Sequence, residues 1–361
     1  MSSIRWQTLR LRRRTSTAPT TTPMMNSNSI TDIWNNLASA KEAGFTKRRI
    51  PVESPLYVYG TYRYPDNLYG IAFSHDSSRN IPADRFKSLK ELEIQQMPDT
   101  SFEHRNLLQI QLRHTDCLGV FATLCTDLTE AVTRTSTEEA AIRVVLNQLE
   151  MWRTLFDRGL AAGLTPSEQQ GLYGELHLLA RMLRRNTGSK AAIIGYWVGC
   201  DKAMRDFQGR DWAIEVKTTS TNSSDRLTIN GERQLDDSLL DRLFLYHLSV
   251  EVSRKNGQTL NREVEDLRKM LSDDAFILRQ FNTCLTHAGY FDEHAPLYQD
   301  RCYKDRGGQA YRISGNFPRI VEQDLRNGVS NVTYVINTSA CEGYQVSDTE
   351  LFKQTIDHEG D

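Results

Sequence analysis

Long apolar runs are missing from this chain. No stretch approaches the roughly 18 to 20 residues that a membrane-spanning helix needs, so no segment of this sequence reads as one. Closely spaced cysteines are missing too. The six present (Cys117, Cys125, Cys200, Cys284, Cys302 and Cys341) are scattered, which disfavours a zinc cluster or a disulfide framework. With no secretory apolar segment either, the chain reads as a reduced, cytoplasmic protein. An overall basic balance is also absent. The net charge is −2, and residues 1–25 hold Arg5, Arg10, Arg12, Arg13 and Arg14 with no acid, so the remainder stands at −7. Any surface for nucleic acid must therefore be a local patch.

What is present is ordinary globular material, 361 residues with 39% hydrophobic and 25% charged, enough to build two or three domains. The arginine-rich, Ser/Thr-rich start reads as a transit-peptide mimic, a basic arm, or the product of a start codon upstream of Met24-Met25; composition favours the last. Residues 1–28 are expected to be disordered in every case. From Pro51 to Thr126 the pattern is β-rich. Leu56 to Gly60 and Tyr69 to Phe73 flank a Pro65-Asp66-Asn67 turn, and Leu107 to Leu112 and Leu118 to Ala122 form a second expected hairpin around His114-Thr115-Asp116.

A helix is expected over Ser136–Arg158, where Ile142, Val145, Leu146, Leu149, Trp152 and Phe156 keep one apolar stripe; Gly159 and Gly163 then punctuate a linker. Thr165-Pro166-Ser167-Glu168 carries a capping box and opens the next helix, to about Arg185. Glu175 borders the apolar stripe of that helix. Strands are expected at Ala213–Thr219, Leu227–Ile229 and Phe244–Val250, with a helix beginning near Gly231. Two more helices and a β-rich end follow.

Within the strand Ala213–Thr219, side chains alternate. Ala213, Glu215, Lys217 and Thr219 share one face, while Ile214, Val216 and Thr218 take the other. Asp206 lies nine positions before Glu215, and Gln208-Gly209-Arg210 can turn a hairpin that brings the two acids to adjacent strand ends. Phosphodiester hydrolysis needs a nucleophilic water, in-line geometry and neutralisation of charge developing on phosphate. Mg²⁺ supplies much of this from two or three carboxylates and keeps several waters. Lys217 can orient or deprotonate the attacking water. The Glu-x-Lys tripeptide alone is weak, and its plain alternative is an ion pair on a half-exposed strand worth 0 to ~1 kcal/mol. Asp211, four residues before Glu215, competes with Asp206; the hairpin spacing favours Asp206. Lys202, Arg205, Arg210, Arg226, Arg233 and Arg242 surround this centre and could hold phosphates, although acids interspersed among them fit a solvated surface as well. His177 and His247 have no partner at metal-ligand spacing.

Gly174-Glu175-Leu176, Trp197-Val198-Gly199, Asp206-Phe207 and Ile214-Glu215-Val216-Lys217-Thr218-Thr219 together resemble the PD-(D/E)XK nuclease superfamily. More narrowly, the chain resembles a bacterial PD-(D/E)XK family found in restriction-modification-like and phage-defence gene clusters. The likeness extends from about residue 30 to 345. It implies that Glu175 is the helix glutamate, Asp206 the metal-bridging aspartate, and Glu215 and Lys217 the final acid and lysine. It implies Mg²⁺ (Mn²⁺ substituting) held by Asp206, Glu215, Glu175 and the Val216 carbonyl. Two departures stand out: Arg205 occupies the family's proline position, and Gln234, similar to the glutamine of recombination-type nucleases, is followed four positions on by Ser238 where those have tyrosine.

The expectation is therefore an α/β (α+β) protein with a restriction-endonuclease-like core, a mixed central sheet flanked by the Thr165–Arg185 helix and the helix from Gly231. Residues 1–28 would be an extension, 29–160 a β-rich domain ending in a long helix, 161–255 the nuclease core, and 256–361 an α+β region with an acidic tail. The expected function is Mg²⁺-dependent DNA endonuclease, with Gln234, Thr218, Arg205, Arg210 and Arg233 as substrate contacts. The family implies a restriction or phage-defence role with operon partners (an ATPase, helicase or methyltransferase), and double-strand cleavage would favour a homodimer. The alternative is a non-cleaving DNA-binding or scaffold subunit that keeps the fold.

Overall fold

The computed structural model describes residues 29–79, 81, 91–158 (backbone alone at 153–158), 162–185, 189–201, 203–220 and 225–357. The expected extension 1–28, Gly159, Lys202, the Phe156 side chain and the last four residues of the acidic tail lie outside the described part.

The chain begins with α1 (Ile30–Ala40) and a five-stranded antiparallel sheet of β1 (Gly44–Arg49), β2 (Tyr57–Tyr64), β3 (Leu68–Asp76), β4 (Leu92–Pro98) and β5 (Arg105–Leu112), ordered β1-β2-β3-β5-β4. Two long helices follow, α2 (Leu118–Thr133) and α3 (Glu138–Arg158). One face of the sheet packs against these helices through Val58, Ile71, Phe73, Leu108, Ile110, Phe121, Leu124, Leu128, Val145 and Leu149. Here one expectation fails. Leu118 to Ala122 is no strand but the first turn of α2, and β5 pairs with β3 and β4 instead. Val120, Phe121, Leu124, Cys125, Leu128 and Val132 are all buried, a helical spacing that continues well past the short run read as a strand.

The second half builds a mixed sheet. After α4 (Pro166–Arg185) and α5 (Lys190–Tyr196) come β6 (Phe207–Gln208), β7 (Trp212–Ser220), β8 (Arg226–Asn230), β9 (Arg242–Ser253) and β10 (Gln258–Thr259). Helices α6 (Leu260–Met270), α7 (Ala275–His287) and α8 (Ala295–Tyr298) lead to β11 (Cys302–Ile313), β12 (Thr333–Asn337), β13 (Gln345–Val346) and α9 (Asp348–Lys353). The sheet order is β10-β11-β9-β7-β6, with β13 on β11. Only the central β7–β9 pair is parallel among these ladders, joining Glu215 to Leu245 and Lys217 to His247. The capping box of α4 is formed: Glu168 N–H donates to Thr165 Oγ1 at 3.3 Å, and Thr165 N–H donates to Glu168 Oε2 at 2.9 Å. Such a cap is worth about 1 kcal/mol, and it fixes where the helix carrying Glu175 begins.

Two cores hold β7 in place. Ile214, Val216 and Trp212 pack with Leu172, Leu176, Leu179 and Leu183 of α4 on one face, while Ala213 on the other joins Leu227, Ile229, Leu235, Leu243, Leu245 and Ile336. The second core corrects another expectation. No helix begins at Gly231; residues 232–235 are turn, and the second face is covered by β8 paired antiparallel with β12. Gly231 has φ +156 and Leu235 is fully buried in that core, so the eleven residues 231–241 return the chain to β9 through turns. Parallel strands are usually joined by a helical crossover; here a β-ribbon takes that place.

Candidate active site

The strand β7 places Glu215 and Lys217 on the face expected from alternation. Glu215 is 2% exposed, and its Oε1 lies 2.7 Å from Lys217 Nζ. The hairpin between Asp206 and Glu215 is formed, with Phe207 opposite Ile214, Gln208 opposite Ala213 and Gly209 N–H on the Trp212 carbonyl at 3.0 Å. Asp206 stands just before β6, whose first residue is Phe207, and its Oδ2 accepts the Val216 N–H at 2.7 Å. A strand residue points its N–H and C=O to the same side, so the Val216 carbonyl faces the Asp206 edge as well. Glu175 comes from α4 and accepts the Trp197 Nε1–H at 2.8 Å through Oε2.

Gly199 shows how tightly the acids are brought together. A Cβ there would stand 2.9 Å from Asp206 Oδ1 and 3.2 Å from Glu175 Oε2. The two carboxylates therefore close on the same backbone position, and only glycine leaves them room. Gly174 plays the matching part between helix and strand, since a Cβ would fall 1.8 Å from Thr218 Oγ1.

Electrostatics follow from the crowding. Burial, then the Asp206 charge, raises Glu215 to about 8 against the pull of Lys217. Burial raises Asp206 to about 6, opposed by the Val216 N–H and Lys217. Glu175 is raised well above the usual carboxylate range by burial and then by Asp206, with the Trp197 hydrogen bond working the other way. Glu215 Oε2 is buried with no hydrogen-bond partner. Three carboxylates held at this cost, one with an orphaned oxygen, form a hard-oxygen set short of positive charge.

That chemistry fits a divalent cation of the Mg²⁺ class. Among the described residues no group of three His, Cys, Asp or Glu side chains is drawn close enough to hold a metal ion by itself. Mg²⁺ does not require this, because one or two carboxylates plus a carbonyl and retained waters complete its shell.

The remaining candidates divide. Gln234 Oε1 accepts from Lys217 Nζ at 3.1 Å and from Asn230 N–H at 3.0 Å, so it sits directly on the lysine. Thr218 lines the cleft, and its carbonyl accepts from Gln170 Nε2 at 2.8 Å. Arg205 is absent from the cleft lining, though its charge still pulls Glu215 down; its guanidinium donates to the main-chain carbonyls of Arg233, Gln234 and Asp236, tying down the turn after β8. Arg233 is exposed and paired with Glu322 at 3.2 Å. Arg210 is exposed and lies outside the cleft lining. Asp211 is paired with Arg242 and is not part of the cleft lining. His177 stands 3.6 Å from Asp305 and His247 2.7 Å from Thr219 Oγ1, neither beside the carboxylates.

The cleft itself is about 520 Å³. Besides the acids and Lys217 it is lined by Gln170, Arg226, Thr228 and Asn230. Gly199 and Trp197 carried a signal in the Trp-Val-Gly segment but no assigned role, and Thr228 and Asn230 had none, because only the long-range pairing of β8 turns them toward the cleft.

A family model matches residues 30–339, and its description is "Putative PD-(D/E)XK family member" (DUF4420). No curated protein and no solved structure matches the chain.

Proposed function

The chain belongs to this PD-(D/E)XK family, and from that premise we propose that it is a Mg²⁺-dependent endonuclease hydrolysing phosphodiester bonds in DNA. The observation that carries the proposal is the convergence of Glu175, Asp206 and Glu215 from three separate elements on one cleft, with Lys217 Nζ 2.7 Å from Glu215. Asp206, Glu215, Glu175 and the Val216 carbonyl are the groups that would hold the ion. When bound, it would lower the pKa of water and neutralise charge on a phosphate oxygen.

The protein's own groups have distinct tasks. The Val216 N–H fixes the Asp206 carboxylate, and Trp197 Nε1 fixes that of Glu175, so neither must reorganise as charge changes. Lys217 is held between Glu215 and Gln234 in the cleft lining, and its ammonium is the group that would meet an attacking water or a phosphate oxygen. Gln234, anchored by the Asn230 N–H, is a positioning residue for that lysine. The cleft's wall is polar at Gln170, Thr228, Asn230 and Arg226, and the Arg226 guanidinium suits a phosphate. A place in a bacterial restriction or phage-defence system, with an ATPase, helicase or methyltransferase as partner, belongs to the same proposal and rests on the family resemblance.

The test is incubation of supercoiled plasmid with the purified chain and Mg²⁺, alone and with its genomic neighbours, beside Asp206→Ala and Lys217→Ala. Nicked or linear product is expected with the wild type and a loss of at least about 100-fold with each variant. Equal cutting by both variants would remove the assignment, and a wild type inert with its neighbours present would favour a non-cleaving subunit.

A further inference from the structure

The ribbon formed by β8 and β12 has one buried and one exposed face. Leu227, Ile229 and Ile336 are buried in the core beneath it. Facing outward are Arg226, Thr228 and Asn230 from β8 and, directly opposite them, Asn337, Val335 and Thr333 from β12. Val335 is 56% exposed, an apolar side chain left in water. These six outward side chains include one charge, Arg226, and no acid, while Asp225, Glu232 and Asp324 flank the two segments in sequence. The ribbon face itself therefore presents a polyanion with one cation and no carboxylate.

Continuity with the cleft identifies the occupant. Arg226, Thr228 and Asn230 line the same cavity as Lys217 and Glu215, so whatever lies along the ribbon also reaches the acids. Two strands spaced about 4.8 Å apart with their side chains form a ribbon about 10 to 12 Å across. The major groove of B-DNA, about 12 Å wide, admits such a ribbon. Its polar side chains are hydroxyls and amides, which hydrogen-bond base edges there, and an apolar side chain such as Val335 suits the thymine methyl.

We propose that the β8–β12 ribbon enters the major groove of the duplex whose backbone reaches Lys217, with Arg226 on a phosphate and Thr228, Asn230, Thr333, Val335 and Asn337 toward the bases. The proposal rests on the reading of the cleft as a phosphodiester-cleaving site and adds how the substrate is gripped. Duplex DNA, rather than a single strand, is the form it selects.

The test uses the full chain, Ca²⁺ in place of Mg²⁺, and a fluorescein-labelled random-sequence duplex of about 20 base pairs read by anisotropy, with the same single strand alongside. Val335→Asp adds a charge at an exposed position, and Arg226→Ala removes one; melting curves check that both fold. Expected are a rise in duplex Kd of tenfold or more for Val335→Asp, severalfold for Arg226→Ala, and protection of guanine N7 from dimethyl sulfate by the wild type. Unchanged affinity in both variants, unprotected N7 in bound duplex, preference for the single strand, or no duplex binding would each overturn it. Cleavage reports separately: normal cutting by Val335→Asp removes the ribbon and leaves the catalytic reading, whereas duplex gripped as expected but never cut removes the catalytic reading alone.

Discussion

Replacing Glu215 with glutamine should make the metal-free protein more stable while abolishing its chemistry. The side chain is almost fully buried, one oxygen has no partner, and its pKa is raised from 4.5 to about 8 by burial and then by Asp206. At 1.36 kcal/mol per unit, holding the charged form in the fold costs on the order of 5 kcal/mol. Below pH ~4.5 both folded and unfolded states are protonated and nothing is lost. Between 4.5 and about 8 the folded state keeps a proton that the unfolded state releases, so stability falls as pH rises; above 8 the whole cost is present. Glutamine has the same shape, carries no charge and still accepts from Lys217 Nζ. It gives up the charge attraction to Lys217, so a net gain of about 2 to 4 kcal/mol is expected at pH 9, shrinking toward zero at pH 5. At roughly 2 °C per kcal/mol, thermal unfolding in EDTA should show Glu215→Gln melting several degrees above wild type at pH 9, and the gap should close on acidification. A variant that melts at or below wild type at pH 9, or a gap that ignores pH, would refute the argument that this carboxylate is held against its own solvation.

Other perturbations follow from the same geometry. Asp211→Ala should retain cleavage while losing about 1 to 3 kcal/mol of stability, because Arg242 is left unpaired and only 11% exposed; loss of cleavage with an intact fold would move the metal-site aspartate from 206 to 211. Gly174→Ala should destabilise by about 1 to 3 kcal/mol, since its Cβ would overlap Thr218 Oγ1, and adding Thr218→Ala should recover part of that in chemical denaturation; an unaffected single variant would contradict the tight contact between α4 and β7. Gln234→Ala should lower kcat about tenfold with KM little changed, because it frees Lys217 on one side; a pure KM effect in steady-state cleavage would make Gln234 a substrate contact instead.

How much of this was legible depended on the range of the interaction. The β7 strand was readable because Ile214 and Val216 alternate with Glu215 and Lys217, and both faces are buried or polar as that alternation demands. The α4 start was readable because a capping box is entirely local. The hairpin from Asp206 was readable from the spacing around Gly209. Leu118 to Ala122 misled, since four hydrophobic residues and a glycine satisfy a strand or a helix turn equally, and only the buried residues out to Val132 decide. The missing helix after Gly231 has a longer-range cause: β8 pairs with residues about a hundred positions later, and Leu235 is fixed by the core they share. No local pattern announces such a pairing. The same pairing turns Arg226, Thr228 and Asn230 into the cleft, whereas Arg205, basic and adjacent to Asp206, is spent on main-chain carbonyls.

Calorimetric titration of the metal-free chain with Mn²⁺ addresses the convergence of acids most directly. Saturable binding that vanishes in Asp206→Ala and in Glu215→Gln, and survives in Asp211→Ala, is the expected result. Identical isotherms for all four proteins, or no heat from the wild type, would mean that these carboxylates do not gather a divalent ion.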